Sequence, residues 1–221
     1  MLGLVTIGQT PRPDFEAAFR EYVPGVEFQI VGVLDGLSPD KISALESEQG
    51  EYQLHMLLAD GSTADIQLDT LAPLVEDLMR ALIGDGAVAV GLLCTGRFPR
   101  FEVGVPVLDP GSLLPAVAGA IAPSRHVGVV TPLESQVEIV KEIWEADGFS
   151  VTVAVDSPYH EGGIEAAAAV MAAARPEVVM LDCMGLGPAY RDEFARLSGV
   201  PAISAQTLLA KVAGELAGGL S

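Results

Sequence analysis

Gly86-Ala-Val-Ala-Val-Gly-Leu-Leu-Cys94-Thr95-Gly96 is an apolar run that ends at a cysteine and, one residue later, at a glycine. The same order returns in Pro176-Glu-Val-Val-Met-Leu-Asp-Cys183-Met184-Gly185, and these two cysteines are the only ones in the chain. Short apolar runs bounded by turn residues are typical of buried strands. Both cysteines are therefore predicted to stand in matching places, at the carboxyl end of a buried strand.

Three further triplets recur at a constant offset of 95 residues. They pair Gly104-Val-Pro106 with Gly199-Val-Pro201, Ser112-Leu-Leu114 with Thr207-Leu-Leu209, and Val117-Ala-Gly119 with Val212-Ala-Gly214. The cysteines are 89 residues apart, so the second copy carries six more residues between its thiol and its Gly-Val-Pro (95 − 89). A constant offset over several triplets indicates that the chain consists of two similar halves.

The composition is that of a globular protein. Hydrophobic residues make up 50% of the 221 residues and charged residues 19%, and the longest apolar runs are strand-sized, which argues against a membrane span. A net charge of −18 repels phosphate backbones, so nucleic acid is not an expected partner. The amino terminus lacks the basic start of a signal peptide, so we expect a cytoplasmic protein with reduced thiols.

Apolar strand patterns alternate with amphipathic helical patterns in both halves. Strands that are apolar throughout are expected to be parallel and covered by helices on both faces. The sequence therefore predicts two α/β halves, residues 1–122 and 123–221. The first half carries an extra hairpin near residues 53–68, turning at Asp60-Gly61. The last helix of the chain either mirrors its counterpart in the first half or crosses over to that half.

Two prolines follow the first strand closely, at Pro11 and Pro13. Their spacing predicts a loop that delays the first helix until Asp14, which would cap a helix over residues 15–22.

Cys94 and Cys183 stand where ligands bind in parallel α/β sheets, beyond the carboxyl ends of the strands. If the halves face each other across a cleft, one thiol approaches from each side. A thiolate can take a proton from a carbon next to a carboxylate while the opposite thiol returns one to the other face. The alternative is a structural role, since cysteine is often buried as a small hydrophobic residue; a disulfide is disfavoured in the cytoplasm.

Four motifs carry a resemblance to a known family. They are Ile7-Gly-Gln-Thr-Pro-Arg12, Cys94-Thr95-Gly96-Arg-Phe98-Pro99, Ser157-Pro158-Tyr159 and Leu181-Asp182-Cys183-Met184-Gly185. The chain resembles the AroM family essentially end to end. That family is similar in turn to the aspartate/glutamate racemase superfamily, which includes amino-acid and hydantoin racemases, maleate isomerase and arylmalonate decarboxylase. The resemblance implies two pseudo-symmetric, flavodoxin-like, three-layer α/β domains with parallel sheets, a cleft between them, and a catalytic cysteine from each, at Cys94 and Cys183.

The chain departs from the superfamily pattern at three places. Racemases usually follow their first strand with Asp-Ser and their cysteines with Asn-Thr and Thr-His. Here the corresponding residues are Gly8-Gln9-Thr10, Thr95-Gly96 and Met184-Gly185. An assisting acid and part of an amino-group site are thus missing or moved, which favours a small carboxylate over an amino acid as substrate.

Further candidate residues lie at predicted strand ends or beside the cysteines. Arg12 is either a two-pronged donor for a carboxylate or a surface arginine. The hydroxyl and amide donors are as well placed to cap their own turns as to touch a ligand. The candidates for substrate binding are Gln9, Thr10, Arg12, Thr95, Gly96, Thr131, Gln136, Ser157, Tyr159, Met184 and Gly185.

The sequence shows no cofactor or metal signature. His55, His126 and His160 are scattered, and no glycine-rich fingerprint has the spacing and position of a nucleotide site. The leading hypothesis is a cofactor-independent racemase or isomerase that acts next to a small-molecule carboxylate by a two-cysteine acid/base mechanism, with a homodimer as an open alternative to a monomer. The other hypotheses are a non-catalytic protein of the same fold that binds a small anion, and a one-cysteine decarboxylase or lyase.

Overall fold

The structure is a computed structural model that describes residues 1–46, 52–159 and 162–218. Its contacts divide the chain into two compact units. Unit 1 comprises residues 1–111 together with the chain from Leu209 onward, and unit 2 comprises Ser112–Leu208. His160, one of the scattered histidines, lies outside the described residues.

Unit 1 is built on a four-stranded parallel sheet. In chain order the elements are β1 (Leu2–Thr6), α1 (Pro13–Tyr22), β2 (Phe28–Gly32), α2 (Pro39–Ser43), β3 (Gln53–Leu57), β4 (Thr63–Gln67), α3 (Leu68–Gly84), β5 (Ala89–Leu93) and β6 (Val107–Leu108). The sheet has the order β2-β1-β5-β6, while β3 and β4 form the predicted antiparallel hairpin. Every residue of β1 and β5 is buried, so both faces of the sheet are covered.

Unit 2 repeats this topology. After β6, the chain continues with α4 (Pro110–Ile121), β7 (His126–Thr131), a 3₁₀ turn (Glu134–Gln136), α5 (Val137–Ala146), β8 (Ser150–Val155), α6 (Ile164–Ala174), β9 (Val178–Leu181), α7 (Pro188–Ser198), β10 (Ala202–Ser204) and α8 (Ala205–Gly218). Most of α8 is assigned to unit 1. The parallel sheet has the order β8-β7-β9-β10. Since these strands take the places of β2, β1, β5 and β6, the prediction of two α/β units with parallel sheets is confirmed.

The compact units and the sequence repeats have different bounds. Helix α4 is counted with unit 2 from Ser112 onward, although residues up to 122 belong to the first repeat. Helix α8 is counted with unit 1 from Leu209 onward. Its packing there is close: Lys211 Nζ lies 5.2 Å from the centre of the Tyr22 ring.

The first helix begins earlier than the sequence indicates. Helix α1 starts at Pro13, with Arg12 at the N-cap position and no side-chain cap hydrogen bond, so the prediction that Asp14 caps this helix is wrong. Proline suits the first helical position because its fixed φ is helical and its missing N–H would have no intrahelical partner. The carboxylate of Asp14 binds the Arg12 side chain instead.

The connections that follow the two cysteines differ. Helix α7 joins β9 to β10, whereas the described residues 94–106 between β5 and β6 hold neither helix nor strand. In that connection Phe98, Phe101 and Val103 are buried in the core of unit 1. The six extra residues of the second repeat therefore accompany a helix that the first repeat lacks.

Both cysteines extend the same helix-covered face of their sheets. Val90, Leu92 and Cys94 share one core cluster with residues of α3. In unit 2, Leu181 and Cys183 share a cluster with residues of α6 and α7. This is the alternation expected along a strand, where every second side chain lies on one face. None of the helices in the described ranges is long and apolar enough to cross a membrane.

Candidate functional site

Cys94 directly follows β5 at the carboxyl edge of the unit 1 sheet. It is a reduced thiol and is 7% exposed. The backbone N–H of Gly96 donates to Cys94 Sγ, with the nitrogen 3.4 Å from the sulfur. Because an N–H donor favours the anionic form of a sulfur, this arrangement suits a group that accepts a proton.

The loop after Cys94 is too closely packed to hold a side chain at its glycine. A Cβ on Gly96 would lie 2.9 Å from Leu54 Cδ2 of the hairpin. A Cβ on Gly111, at the start of α4, would lie 2.6 Å from the carbonyl oxygen of Gly96. Thr95 is buried between these contacts. The hairpin and the start of α4 therefore fix the path of the Cys94 loop.

The loop after β1 bonds to the hairpin and to the loop after β2. Gln9 Nε2 donates to the carbonyl oxygen of Leu34 at 3.0 Å, and Gln9 Oε1 accepts from the N–H of Ala59 at 2.9 Å. Thr10 Oγ1 donates to Asp35 Oδ2 at 2.9 Å. Both candidate side chains thus hold neighbouring loops together, through bonds to residues distant in sequence rather than within their own turn.

Arg12 is a buried residue, not the surface arginine of the alternative interpretation. It is 4% exposed, and its guanidinium lies 3.8 Å from the centre of the Phe15 ring. Its Nε and Nη2 donate to the two carboxylate oxygens of Asp14 at 2.9 and 2.6 Å. A substrate carboxylate could occupy this fork only by displacing Asp14.

Cys183 lies just beyond β9 in a loop that packs on the loop after β8. It is a reduced thiol and is 8% exposed. A Cβ on Gly185 would lie 2.6 Å from Pro158 Cγ and 3.3 Å from Tyr159 Oη. The N–H of Tyr159 donates to the hydroxyl oxygen of Ser157 at 3.2 Å. Unit 2 therefore brings five predicted residues into two touching loops: Ser157, Tyr159, Cys183, Met184 and Gly185.

The two remaining candidates, Thr131 and Gln136, bind each other. Thr131 ends β7 and is 1% exposed, and its Oγ1 donates to Gln136 Oε1 at 2.6 Å. This bond closes the turn between β7 and α5. Both residues are buried at the carboxyl edge of the sheet, as their positions in the sequence predict.

A buried acid near Cys183 was not among the predicted residues. Asp156 directly follows β8 and is 7% exposed, and Tyr190 Oη donates to its Oδ2 at 2.6 Å. Burial raises the pKa of Asp156, although the hydrogen bond from Tyr190 opposes that rise. Burial, Asp156 and the charge on Cys183 together raise the pKa of Tyr190, so the phenol stays protonated. An aspartate placed directly after a predicted strand was the available sequence signal.

Within the described ranges, no three His, Cys, Asp or Glu side chains are grouped so that they could hold a metal ion.

A family model described as AroM protein matches residues 2–217. The chain belongs to the AroM family. The resemblance carried by the four sequence motifs is thereby confirmed over nearly the whole length of this AroM protein. No curated protein matches its sequence significantly.

Several solved structures share the fold of this AroM protein over nearly its whole length. A liganded double mutant of arylmalonate decarboxylase matches with a TM-score of 0.66 and 16% identity, covering 100% of this chain and 93% of that one. Allantoin racemase from Pseudomonas fluorescens matches with a TM-score of 0.63 and 20% identity, covering 100% and 92%. Glutamate racemase from Francisella tularensis in complex with D-glutamate matches with a TM-score of 0.63 and 11% identity, covering 99% and 81%. At such low identity the likeness shows the fold.

Proposed function

We propose that this AroM protein is a cofactor-independent racemase or isomerase that moves a proton at the carbon next to a carboxylate. Cys94 and Cys183 would form its acid–base pair. The observation that carries the proposal is the equivalence of the two thiols. Each follows the same strand of the same topology and lies on the same helix-covered face of its sheet. Both repeats keep a thiol at this position although the residues that follow it differ, Thr95-Gly96 in one and Met184-Gly185 in the other, which supports a shared role for the two sulfurs.

The proposed reaction needs one thiolate and one thiol. The thiolate takes the proton from the α-carbon, and the electron pair of the broken C–H bond remains on the substrate as an enolate. The opposite thiol then gives its proton to the other face of that carbon, and the enolate electron pair forms the new C–H bond. Exchange of protons with water restores the starting thiolate and thiol, so no metal or organic cofactor takes part.

Enolate oxygens require hydrogen-bond donors close to the reacting carbon. We assign this role to the backbone N–H groups of the Cys94 and Cys183 loops and to the hydroxyls of Thr95, Ser157 and Tyr159. The contact of Tyr159 Oη with the position of Gly185 supports this assignment. Thr131, Gln136, Gln9 and Thr10 would support the loops through the bonds described above, and Arg12 would bind substrate only after releasing Asp14.

The proposed substrate is a small carboxylate. Two proteins of the same fold point to this class: one is named for the decarboxylation of arylmalonates, and one is described in complex with D-glutamate. A cytoplasmic location with reduced thiols is part of the proposal, since disulfides are rare in that compartment. A homodimer remains a prediction, which light scattering of the purified protein would test.

Solvent-deuterium exchange tests the proposal directly. The protein is incubated in D₂O with arylmalonates, amino-acid enantiomers and small hydroxy- and dicarboxylic acids, and deuterium at the α-carbon is followed by NMR. We expect exchange with at least one acid, and a loss of at least about 100-fold in Cys94→Ala and in Cys183→Ala, the scale of one acid–base group. Exchange in both variants at the parent rate would exclude the two-thiol mechanism. Circular dichroism of each variant controls for folding.

A one-thiol decarboxylase is the second candidate. It is favoured by the likeness to arylmalonate decarboxylase and by the hydrogen-bonded pair of Asp156 and Tyr190, which lies on the sheet face of Cys183. Loss of carbon dioxide leaves an enolate that a single thiol can protonate. In that case one cysteine variant would be inactive towards a malonate and the other would retain its activity, whereas the two-thiol reaction requires both.

A further inference from the structure

One difference between the two units is a buried ionisable residue at the end of the outer strand of unit 2. In unit 1 the last pair of the β1–β2 register is Thr6 with Gly32, and in unit 2 the last pair of the β7–β8 register is Thr131 with Val155. The next residue of the outer strand is Val33 in unit 1 and Asp156 in unit 2. An apolar side chain in the first repeat is therefore replaced by an acid in the second.

Asp156 is held in a close-fitting position. Tyr190 Oη donates to its Oδ2 at 2.6 Å, and the N–H of Ser157 also bonds to the carboxylate. On the other side, a Cβ on Gly163 would lie only 2.0 Å from Asp156 Oδ1, so the carboxylate occupies the space that this glycine leaves. The Tyr190 ring stacks on Phe194, with ring centres 5.9 Å apart. These contacts fix the carboxylate rather than leaving it to turn towards solvent.

The acid and the thiol lie on one face of the sheet. Ala154, two residues before Asp156, belongs to the same core cluster as Cys183, and the Tyr190 side chain packs against that cluster. The charge on Cys183 is one of the causes that raise the pKa of Tyr190, which places the sulfur within electrostatic reach of the phenol that binds Asp156. The negative charge of Glu165 on α6 also raises the pKa of Asp156.

We propose that Asp156, held by Tyr190, is a positioning residue that keeps Cys183 protonated in the resting protein, so that Cys183 is the proton donor and Cys94 the proton acceptor. This inference deepens the proposed function and rests on it for the roles of donor and acceptor. Its physical basis is that two negative charges on one poorly solvated face repel each other. Cys94 has Val33 in place of the acid and receives the N–H of Gly96.

The assignment states which thiol acts first when substrate binds the resting protein; the reverse reaction uses the same two thiols with their protonation exchanged. The Cys94 thiolate removes the α-proton and becomes a thiol, and the electron pair of the C–H bond passes to the enolate. Cys183 then gives its proton to the carbon and becomes a thiolate on the sheet face that also holds Asp156. Since that anion is disfavoured there, it regains a proton from water, while Cys94 loses one to water.

Alkylation by iodoacetamide as a function of pH tests this without any substrate. The reagent attacks the thiolate, so the midpoint of the rate profile reports the protonation of each sulfur. Cys94→Ala isolates Cys183, and Cys183→Ala isolates Cys94. In the Cys94→Ala background, we expect Asp156→Asn to move the Cys183 midpoint to lower pH by about one unit, the usual size of one nearby charge. The Cys94 midpoint should not move.

Two further variants make the test decisive. Asp156→Ser removes the same charge with a smaller side chain. If the Asp156→Asn variant does not fold, the midpoint of Cys183 alkylation is measured in Asp156→Ser instead. Asp192→Asn is the control, because this acid lies on the same helix as Tyr190 but is exposed (69% of its side chain), so its charge is screened by water. The control should leave both midpoints unchanged.

A Cys183 midpoint that stays at the parent value in both Asp156 variants would overturn the inference. The same holds if Asp192→Asn moves the midpoint as far as Asp156→Asn does. Both outcomes are independent of the deuterium experiment. If no acid exchanges deuterium but the midpoint moves as expected, the proposed reaction fails and the control of Cys183 by Asp156 stands.

Discussion

The two cysteine loops follow equivalent strands but are enclosed by different material. In unit 1 the β3–β4 hairpin packs on the Cys94 loop at Gly96 and on the loop after β1 at Gly8. In unit 2 there is no matching hairpin among the described residues, and α7 supplies Tyr190 to a buried acid instead. The repeated strands therefore determine where each thiol lies, while the connections between them determine its chemical surroundings.

The largest expected effect concerns the hairpin of unit 1. A Cβ on Gly8 would lie 2.2 Å from the carbonyl oxygen of Leu57, a backbone atom that cannot rotate away. We therefore expect Gly8→Ala to lower the free energy of unfolding by about 2–3 kcal/mol, the range of an overpacked core. Urea denaturation followed by circular dichroism measures it. Gly84→Ala is the matched control, since a Cβ there meets nothing within 4 Å. Equal stability of the two variants would show that the hairpin backbone shifts at little cost to accommodate a methyl group at position 8.

A smaller effect separates two equivalent threonines. The hydroxyl of Thr131 donates to Gln136, whereas that of Thr6, at the same place in the first repeat, is buried with no partner among the described residues. Thr131→Val should cost about 1–2 kcal/mol of unfolding free energy, because a buried acceptor loses its donor. Thr6→Val should leave the free energy of unfolding unchanged or raise it slightly, because it removes a buried hydroxyl that has no partner among the described residues. Thermal and urea unfolding of the two variants measure the difference in unfolding free energy. Equal losses in Thr131→Val and Thr6→Val would mean that the two hydroxyls contribute equally to stability.

The smallest expected effect is on the pH dependence of stability. Burial raises the pKa of folded Asp156 above the ordinary value of 3.8. The folded protein therefore binds a proton that the unfolded chain has released, and this contribution to stability is lost as pH rises from 3.8 through the raised value. Asp156→Asn removes the group, so its stability relative to the parent should rise across that window. Urea midpoints from pH 3.5 to 7 measure this; a constant difference would contradict it.

Much of the fold could be predicted because its signals are local. The apolar runs of β1, β5, β7 and β9 identify buried strands, and Asp60-Gly61 identifies the hairpin turn. The start of α1 was missed because a proline can interrupt a helix or open one, and only the backbone path shows which occurs. The exchange of α4 and α8 between the compact units depends on contacts far apart in sequence.

The candidate site was predictable in part for the same reason. Cys94 and Cys183 stand out because a repeated motif ends at each of them, and the loop residues beside them follow from that. The pair of Asp156 with Tyr190 could not be found in this way, since 34 residues separate them and Tyr190 lies on a helix without a counterpart in the first repeat. The hydrogen-bond partners of the Arg12, Gln9 and Thr10 side chains likewise could not be predicted, because they depend on how the side chains pack in the folded protein.

The duplication, the parallel strands and the two thiols at strand ends can all be predicted from the amino-acid sequence, because hydrophobic periodicity and turn residues act over a few positions along the chain. Folding determines that an acid lies on the sheet face of Cys183 and a valine at the equivalent place in unit 1. The reason is physical: the charge state of a buried group depends on which distant side chains share its face and how far water is excluded there.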